Sequence, residues 1–229
     1  MAHSHDFFGN TSTDAFSTEF TLATAPTTCR LQSDRSAYWA PTLYDDGVAI
    51  RPIKAHAYYA RRVAEEVEAP PFGLRIIAGD KKNVRFSCIV SGMPQRLGHM
   101  VRSCEGGMFT IGIKFPECWN GVDLDSADHK SHMAYAVNES CPASHPVAIP
   151  RLRLFLAYPA PSATAVLTLA SGSLDTAHAD FINAWNPGVV GEITGFCLND
   201  IDPRNCAKRL PKFLREQDKA FGSRLESEA

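Results

Sequence analysis

No C-x-x-C pair occurs in this chain of 229 residues, nor an apolar run of about 18 residues, nor an extended block of Lys and Arg. Each absence removes a class of protein. Without C-x-x-C there is neither a zinc knuckle nor a thioredoxin-type redox pair. Without the long apolar run no membrane span is expected. A net charge of −2 with no clustered cations argues against nucleic acid as the main partner, because phosphate contacts need grouped Lys and Arg. Also missing are G-x-S-x-G, H-E-x-x-H, a phosphate-binding glycine loop and a dinucleotide fingerprint. No repeat of fixed period is visible. Met1 is followed at once by polar residues, with no positive n-region and no apolar h-region.

Cysteine, by contrast, is plentiful: Cys29, Cys88, Cys104, Cys118, Cys141, Cys197 and Cys206. The spacings suggest three local disulfide loops, Cys88 to Cys104, Cys118 to Cys141 and Cys197 to Cys206. Such loops imply an oxidising, extracellular location. Buried free thiols in a reducing compartment are the alternative. Cys29 is left over, either free or paired with a residue upstream. An exported chain carries a leader, so an N-terminus already removed is expected here.

The composition is 45% hydrophobic and 21% charged, that of an ordinary globular domain with enough chain to bury a core. Phe109 to Phe115 places large apolar residues at every second position, the pattern of a half-buried strand ended by Pro116. Leu152 to Leu156 and Ala165 to Leu169 alternate in the same way, and Arg151 and Arg153 read as the solvated face of their strand. Leu74 to Ile77 and Val84 to Val90 read as short strands, and Gly47 to Ala60 supplies one or two more. Residues 1–40 read as loop with short elements. Short helices are expected at Arg61 to Glu68, at Phe181 to Trp185, and at Cys206 to Glu216 around Pro211. Many short strands with many turns favour an antiparallel β sandwich with long, disulfide-tethered loops and a few short helices. Residues 1–210 read as one β-rich domain, and 211–229 as a polar C-terminal tail.

Chemistry is concentrated in three polar clusters. His3 and His5 open the chain, two apart, so an extended backbone points both to one face. Asp123, Asp125 and Asp128 precede His129 and His132, which share a face if the segment turns helically. His178 stands two residues from Asp180. Imidazoles and carboxylates bind metals and move protons near neutral pH. His56 and His145 read as structural, and His99 stands alone in a loop. Tyr38, Trp39, Trp119 and Trp185 lie near these clusters or near turns, where aromatic faces can stack on sugars.

Six ordered strings carry a resemblance. They are His3-Ser4-His5-Asp6-Phe7-Phe8-Gly9-Asn10, Ser36 to Tyr44, Phe72 to Asp80, Phe115-Pro116-Glu117-Cys118-Trp119-Asn120-Gly121, Leu124 to His132, and His178-Ala179-Asp180-Phe181-Ile182-Asn183-Ala184-Trp185. Together they make the chain, from His3 to about Cys206, resemble the domain-of-unknown-function family nineteen-ninety-six of fungal and actinobacterial secreted proteins. The resemblance implies export. It also implies an association with carbohydrate-binding modules, and hence polysaccharide as a target. The family pattern has His at the positions of His3, His5, His129, His132 and His178, and Asp at those of Asp125, Asp128 and Asp180. The family label supplies no reaction.

The expectation is a secreted, monomeric glycan hydrolase or lyase, without a membrane or nucleic-acid partner. His5, His129 or His178 would be the base and Asp125 or Asp180 its partner or the acid. Tyr38, Trp39, Trp119 and Trp185 would line a sugar cleft. A divalent metal on His3, His5 and His132 is a variant of this reading. A glycan- or cell-wall-binding module without catalysis is the rival. The catalytic proposal requires that the clusters meet.

Overall fold

Alternation at every second residue decides which strand faces meet. The computed structural model describes residues 3–97, 104, 107–161, 164–200 and 202–227. His99 lies outside the described residues. In chain order the strands are His5–Gly9 (β1), Ala37–Pro41 (β2), Leu43–Asp45 (β3), Val48–Ile50 (β4), Lys54–Ala60 (β5), Arg75–Ala78 (β6), Val84–Val90 (β7), Met93–Leu97 (β8), Met108–Lys114 (β9), Cys118–Trp119 (β10), Met133–Ala134 (β11), Val147–Ala148 (β12), Arg151–Tyr158 (β13), Leu167–Leu169 (β14) and Ala179–Ile182 (β15). The α-helices are Glu19–Thr24 (α1), Pro187–Ile193 (α2) and Pro203–Ser227 (α3).

Two antiparallel sheets form the body, one ordered β1-β2-β15-β6 and the other β5-β13-β9-β7-β8. Smaller sheets, β11-β10-β12 and β14-β3-β4, flank them. The inner face of the first sheet carries Phe8, Tyr38, Ala40, Ile76, Ala78, Ala179 and Phe181. The second sheet contributes Phe86, Phe109, Ile111, Ile113, Leu152, Leu154 and Leu156 to the same core. Phe181 meets Phe115 edge to face, with ring centroids 6.3 Å apart. The expected mainly β, antiparallel architecture is therefore present, and so are the three disulfides Cys88–Cys104, Cys118–Cys141 and Cys197–Cys206. Cys29 has no disulfide partner. None of the helices described here is long and apolar enough to cross a membrane.

Several local expectations are corrected. Residues 61–68 form no helix. Residues 179–182 are a strand, because Phe181 is needed on the inner face opposite Tyr38. Residues 5–9 form an edge strand on β2 rather than loop. The C-terminal helix is long, not short: α3 runs through Pro211. Helix α1 forms because Thr18 and Thr21 cap it reciprocally, and it lays Leu22 against Ala37 and Ile182 on the outer face of the first sheet. That helix covers one end of this face. The other end stays open.

A buried hydrogen-bond chain ties the two sheets together. Trp185 Nε1 donates to Tyr59 Oη (3.2 Å), the two tyrosine hydroxyls are 2.6 Å apart, and Tyr38 Oη donates to Asp34 Oδ2 (2.7 Å). Burial pushes the Asp34 carboxyl up from its ordinary 3.8 to about 6, against the hydrogen bonds from Tyr38 and Ser36 that favour the anion. An acid whose native pKa is raised holds its proton over a window in which the unfolded chain has lost it. Its contribution to stability is full below pH ~4, declines through the window and levels off above pH ~6, a span worth about 3 kcal/mol. Melting temperature measured from pH 4 to 7 is expected to show this decline. Asp34→Asn is expected to flatten it, and an identical slope in the variant would refute the assignment.

Candidate functional site

Strand register brings the histidines together. His5 pairs with Pro41 across β1 and β2. On the other side of β2, Asp180 pairs with Trp39, so continuing that register by two residues sets His178 level with Pro41 as well. Side chains level with one another in a sheet share a face. His5 and His178 therefore flank Pro41 on the outer face, and one row along, Phe7 and Asp180 flank Trp39. The imidazoles lean across the intervening strand. Ring centroids are 5.7 Å apart for His5 and His178, 4.3 Å for His3 and His5, and 5.1 Å for His3 and His178. Gly79, just past β6, permits this approach. A Cβ there would stand 2.5 Å from the His178 Cβ and 2.7 Å from the Ala177 carbonyl.

The 123–132 segment edges the same sheet. Arg75 N donates to Leu124 O (2.9 Å) and Ile77 N to His129 O (3.1 Å), extending β6 with irregular backbone. Its turn is built by Asp128, whose Oδ1 accepts from Lys130 N, Ser131 N and the Ser126 hydroxyl. These bonds hold the carboxyl well below the usual carboxylate range. His132 is almost fully buried. Its Nδ1 meets Ser126 Oγ (2.8 Å) and its Nε2 meets the Arg75 carbonyl (2.6 Å). Both ring nitrogens are thus spent on anchoring the loop. The structure puts His178, not His132, beside His3 and His5.

His129 projects from this loop at φ +55°, with Nδ1 2.7 Å from Asp125 Oδ1. A left-handed backbone at a non-glycine residue is uncommon and here turns the ring outward as an oriented His–carboxylate pair. His129 and Lys130 lie near enough to Asp180 for their charges to favour its carboxylate. Burial outweighs them and lifts Asp180 to about 7. Burial, joined by the charges of His3 and His178, lowers His5 to about 4, and His178 is lowered chiefly by burial. This end of the sheet therefore sets two imidazoles disfavoured as cations, those of His5 and His178, beside a carboxyl that ionises reluctantly.

Of the expected aromatic residues, only Trp39 faces the site. Tyr38 and Trp39 are consecutive, so they point to opposite faces. Tyr38 is a core residue and Trp185 is buried on Tyr59. Trp119 donates from Nε1 to Asp123 O (2.7 Å) and supports the loop from behind. Phe7 had not been expected. It is half exposed and stacks on Trp39 with centroids 5.7 Å apart, one row from His5 and Asp180. The i, i+2 spacing His3-His5-Phe7 contains this signal.

A cavity of about 700 Å³ lies elsewhere, against Tyr38, Tyr59 and Trp185 and beneath Val190, Ile193 and Leu210. The hydrogen-bond chain from Trp185 to Asp34 lies along its wall. Cys29, beside Asp34, has its thiol pushed up to about 12 by burial and by that carboxylate, which makes it inert as a nucleophile. The histidine cluster sits on the open sheet face instead.

His132→Ala should remove the ring that links the Arg75 carbonyl to Ser126, while Ser126 keeps Asp128. The expected cost is about 2–4 kcal/mol, read as a lower melting temperature. An unchanged melting temperature would show that the ring does not anchor the loop.

No curated protein and no solved structure gives a match to this chain. A family model does match, over residues 1–185, and this span contains every histidine, aspartate and aromatic residue of the open face. The chain belongs to the family described as Domain of unknown function (DUF1996).

Proposed function

We propose that this protein is a secreted polysaccharide-active enzyme that cleaves a glycan, by hydrolysis or elimination, on the open face of the β1-β2-β15-β6 sheet. The reading is carried by one observation. Segments 3–7 and 178–180, remote in sequence, meet on one face, where His5, His178 and Asp180 lie beside the half-exposed Phe7 stacked on Trp39, and the loop carrying Asp125 and His129 edges the same sheet at β6. Phe7 and Trp39 offer flat apolar surface of the kind on which pyranose rings stack. His129 is the general base, because Asp125 fixes its Nδ1 as a donor and leaves Nε2 with a lone pair. Asp180, with His178 Nε2 3.9 Å from its Oδ2, serves as the partner acid at the floor. Disulfides agree with an oxidising, extracellular setting. A non-catalytic glycan-binding module would use the same Phe7–Trp39 platform, so turnover decides between the two.

The purified protein, incubated with a panel of neutral and acidic polysaccharides, is expected to release new reducing ends if it hydrolyses, or unsaturated ends if it eliminates. His129→Ala should lower kcat by roughly 10²–10⁴-fold with little change in KM. Phe7→Ala should weaken glycan binding by about 2–10-fold with the base intact. Glycan binding that depends on Phe7 but gives no product would establish the binding module. Neither binding nor product across the panel would overturn both readings.

A further inference from the structure

We infer that His3, His5 and His178 form a site for one divalent transition-metal ion, with a fourth position open toward Phe7 and Trp39 and with Asp180 placed to accept a hydrogen bond from water on that ion. The inference does not depend on the glycan reading.

Three independent features support it. The first is convergence: one ring nitrogen from each of the three histidines lies within 4.8 Å of the other two. The Nε2 atoms of His3 and His178 are 3.2 Å apart. Nitrogens bound to one tetrahedral first-row ion at 2.0–2.1 Å stand roughly 3.3 Å from each other, so little movement is needed.

The second feature is the orientation of the rings. His178 Nδ1 lies 2.9 Å from the Thr176 carbonyl, which can only accept. Nδ1 therefore carries the proton, and in the neutral ring the lone pair sits on Nε2, aimed at His3. Metal-binding histidines characteristically donate their second ring N–H to a carbonyl or carboxylate, which fixes the tautomer and the ring plane.

The third feature is an orphaned acceptor. Asp180 is 7% exposed, yet its Oδ2 is buried with no hydrogen-bond partner. That oxygen is 3.9 Å from His178 Nε2, the nitrogen whose lone pair faces inward. A buried, unpartnered carboxylate oxygen is costly unless something donates to it or neutralises it. An ion among the three imidazoles, carrying a water, would do both. Three protein ligands with an open position is the pattern of catalytic sites, whereas structural sites are closed by four. Three imidazoles favour zinc, copper, cobalt or nickel over magnesium or calcium, which prefer oxygen.

The test uses the whole chain without a polyhistidine tag, stripped with chelator and then titrated with Zn²⁺, Cu²⁺ or Co²⁺ in the absence of any glycan. About one equivalent of metal should survive buffer exchange, and the Co²⁺ form should show visible ligand-field bands. The melting temperature should rise with metal, as for any ligand of the native state. His5→Ala and His178→Ala should each abolish retention, Asp180→Asn should weaken it by about 10–100-fold, and His56→Ala, on the other sheet, should leave it unchanged. Circular dichroism of each variant guards against misfolding, and Asp180→Asn keeps the shape of the residue it replaces. Failure to retain metal, or retention unaffected by His178→Ala, would overturn the inference. Because retention is read without substrate, neither result bears on whether glycan is cleaved.

Discussion

The site depends on a single register. Strand β2 runs between β1 and β15, and its pairing with each sets His5 and His178 level with the same residue, Pro41. A slip of one residue in either pairing would turn that strand's side chains to the opposite face and place a histidine in the core. The apolar residues on the inner face resist such a slip: Phe8 from β1, Tyr38 from β2 and Phe181 from β15 all belong to one packed cluster. Burial on one side of the sheet thus fixes the chemistry on the other. The histidines need no direct stabilisation of their own, because the hydrophobic face holds them in position.

The two faces of this sheet treat polar groups differently. On the inner side, Trp185, Tyr59, Tyr38 and Asp34 pass hydrogen bonds along a closed chain, and the result is a cross-tie between sheets. On the outer side, Asp180 retains an unpartnered oxygen and His129 holds a left-handed backbone. Unpartnered polar atoms occur elsewhere too, Asp6 Oδ2 and Tyr158 Oη among them, but Asp180 is the one whose free oxygen lies beside converging imidazoles. The adjacent loop divides its labour in the same way. Asp128 and His132 are consumed in shaping and anchoring it, which leaves Asp125 and His129 directed outward.

Much of this was legible from residue order. Alternation from Phe109 to Phe115 and from Leu152 to Leu156 located the two central strands of the larger sheet, and cysteine spacing matched all three disulfides. The i, i+2 spacing of His3 and His5 pointed to a shared face, and His178 and Asp180 have the same spacing on the neighbouring strand. What was missed depends on contacts distant in sequence. Residues 179–182 became a strand because β2 and β6 accept them on either side, a fact absent from their own composition. His132 looks as available as His129 in the linear sequence. Only the approach of the Arg75 carbonyl, 57 residues away, turns it into an anchor. Trp39 and Tyr38 could have been separated by strand parity alone, once residues 37–41 were known to be extended.

The central claim is that the imidazoles of His3, His5 and His178 share one hollow on the open sheet face. Nuclear Overhauser spectroscopy on the uniformly isotope-labelled protein tests it most directly. The structure predicts cross-peaks among the ring protons of all three histidines, whose centroids are separated by 4.3–5.7 Å. Backbone contacts between β2 and β15 with no cross-peaks among these three rings would contradict it.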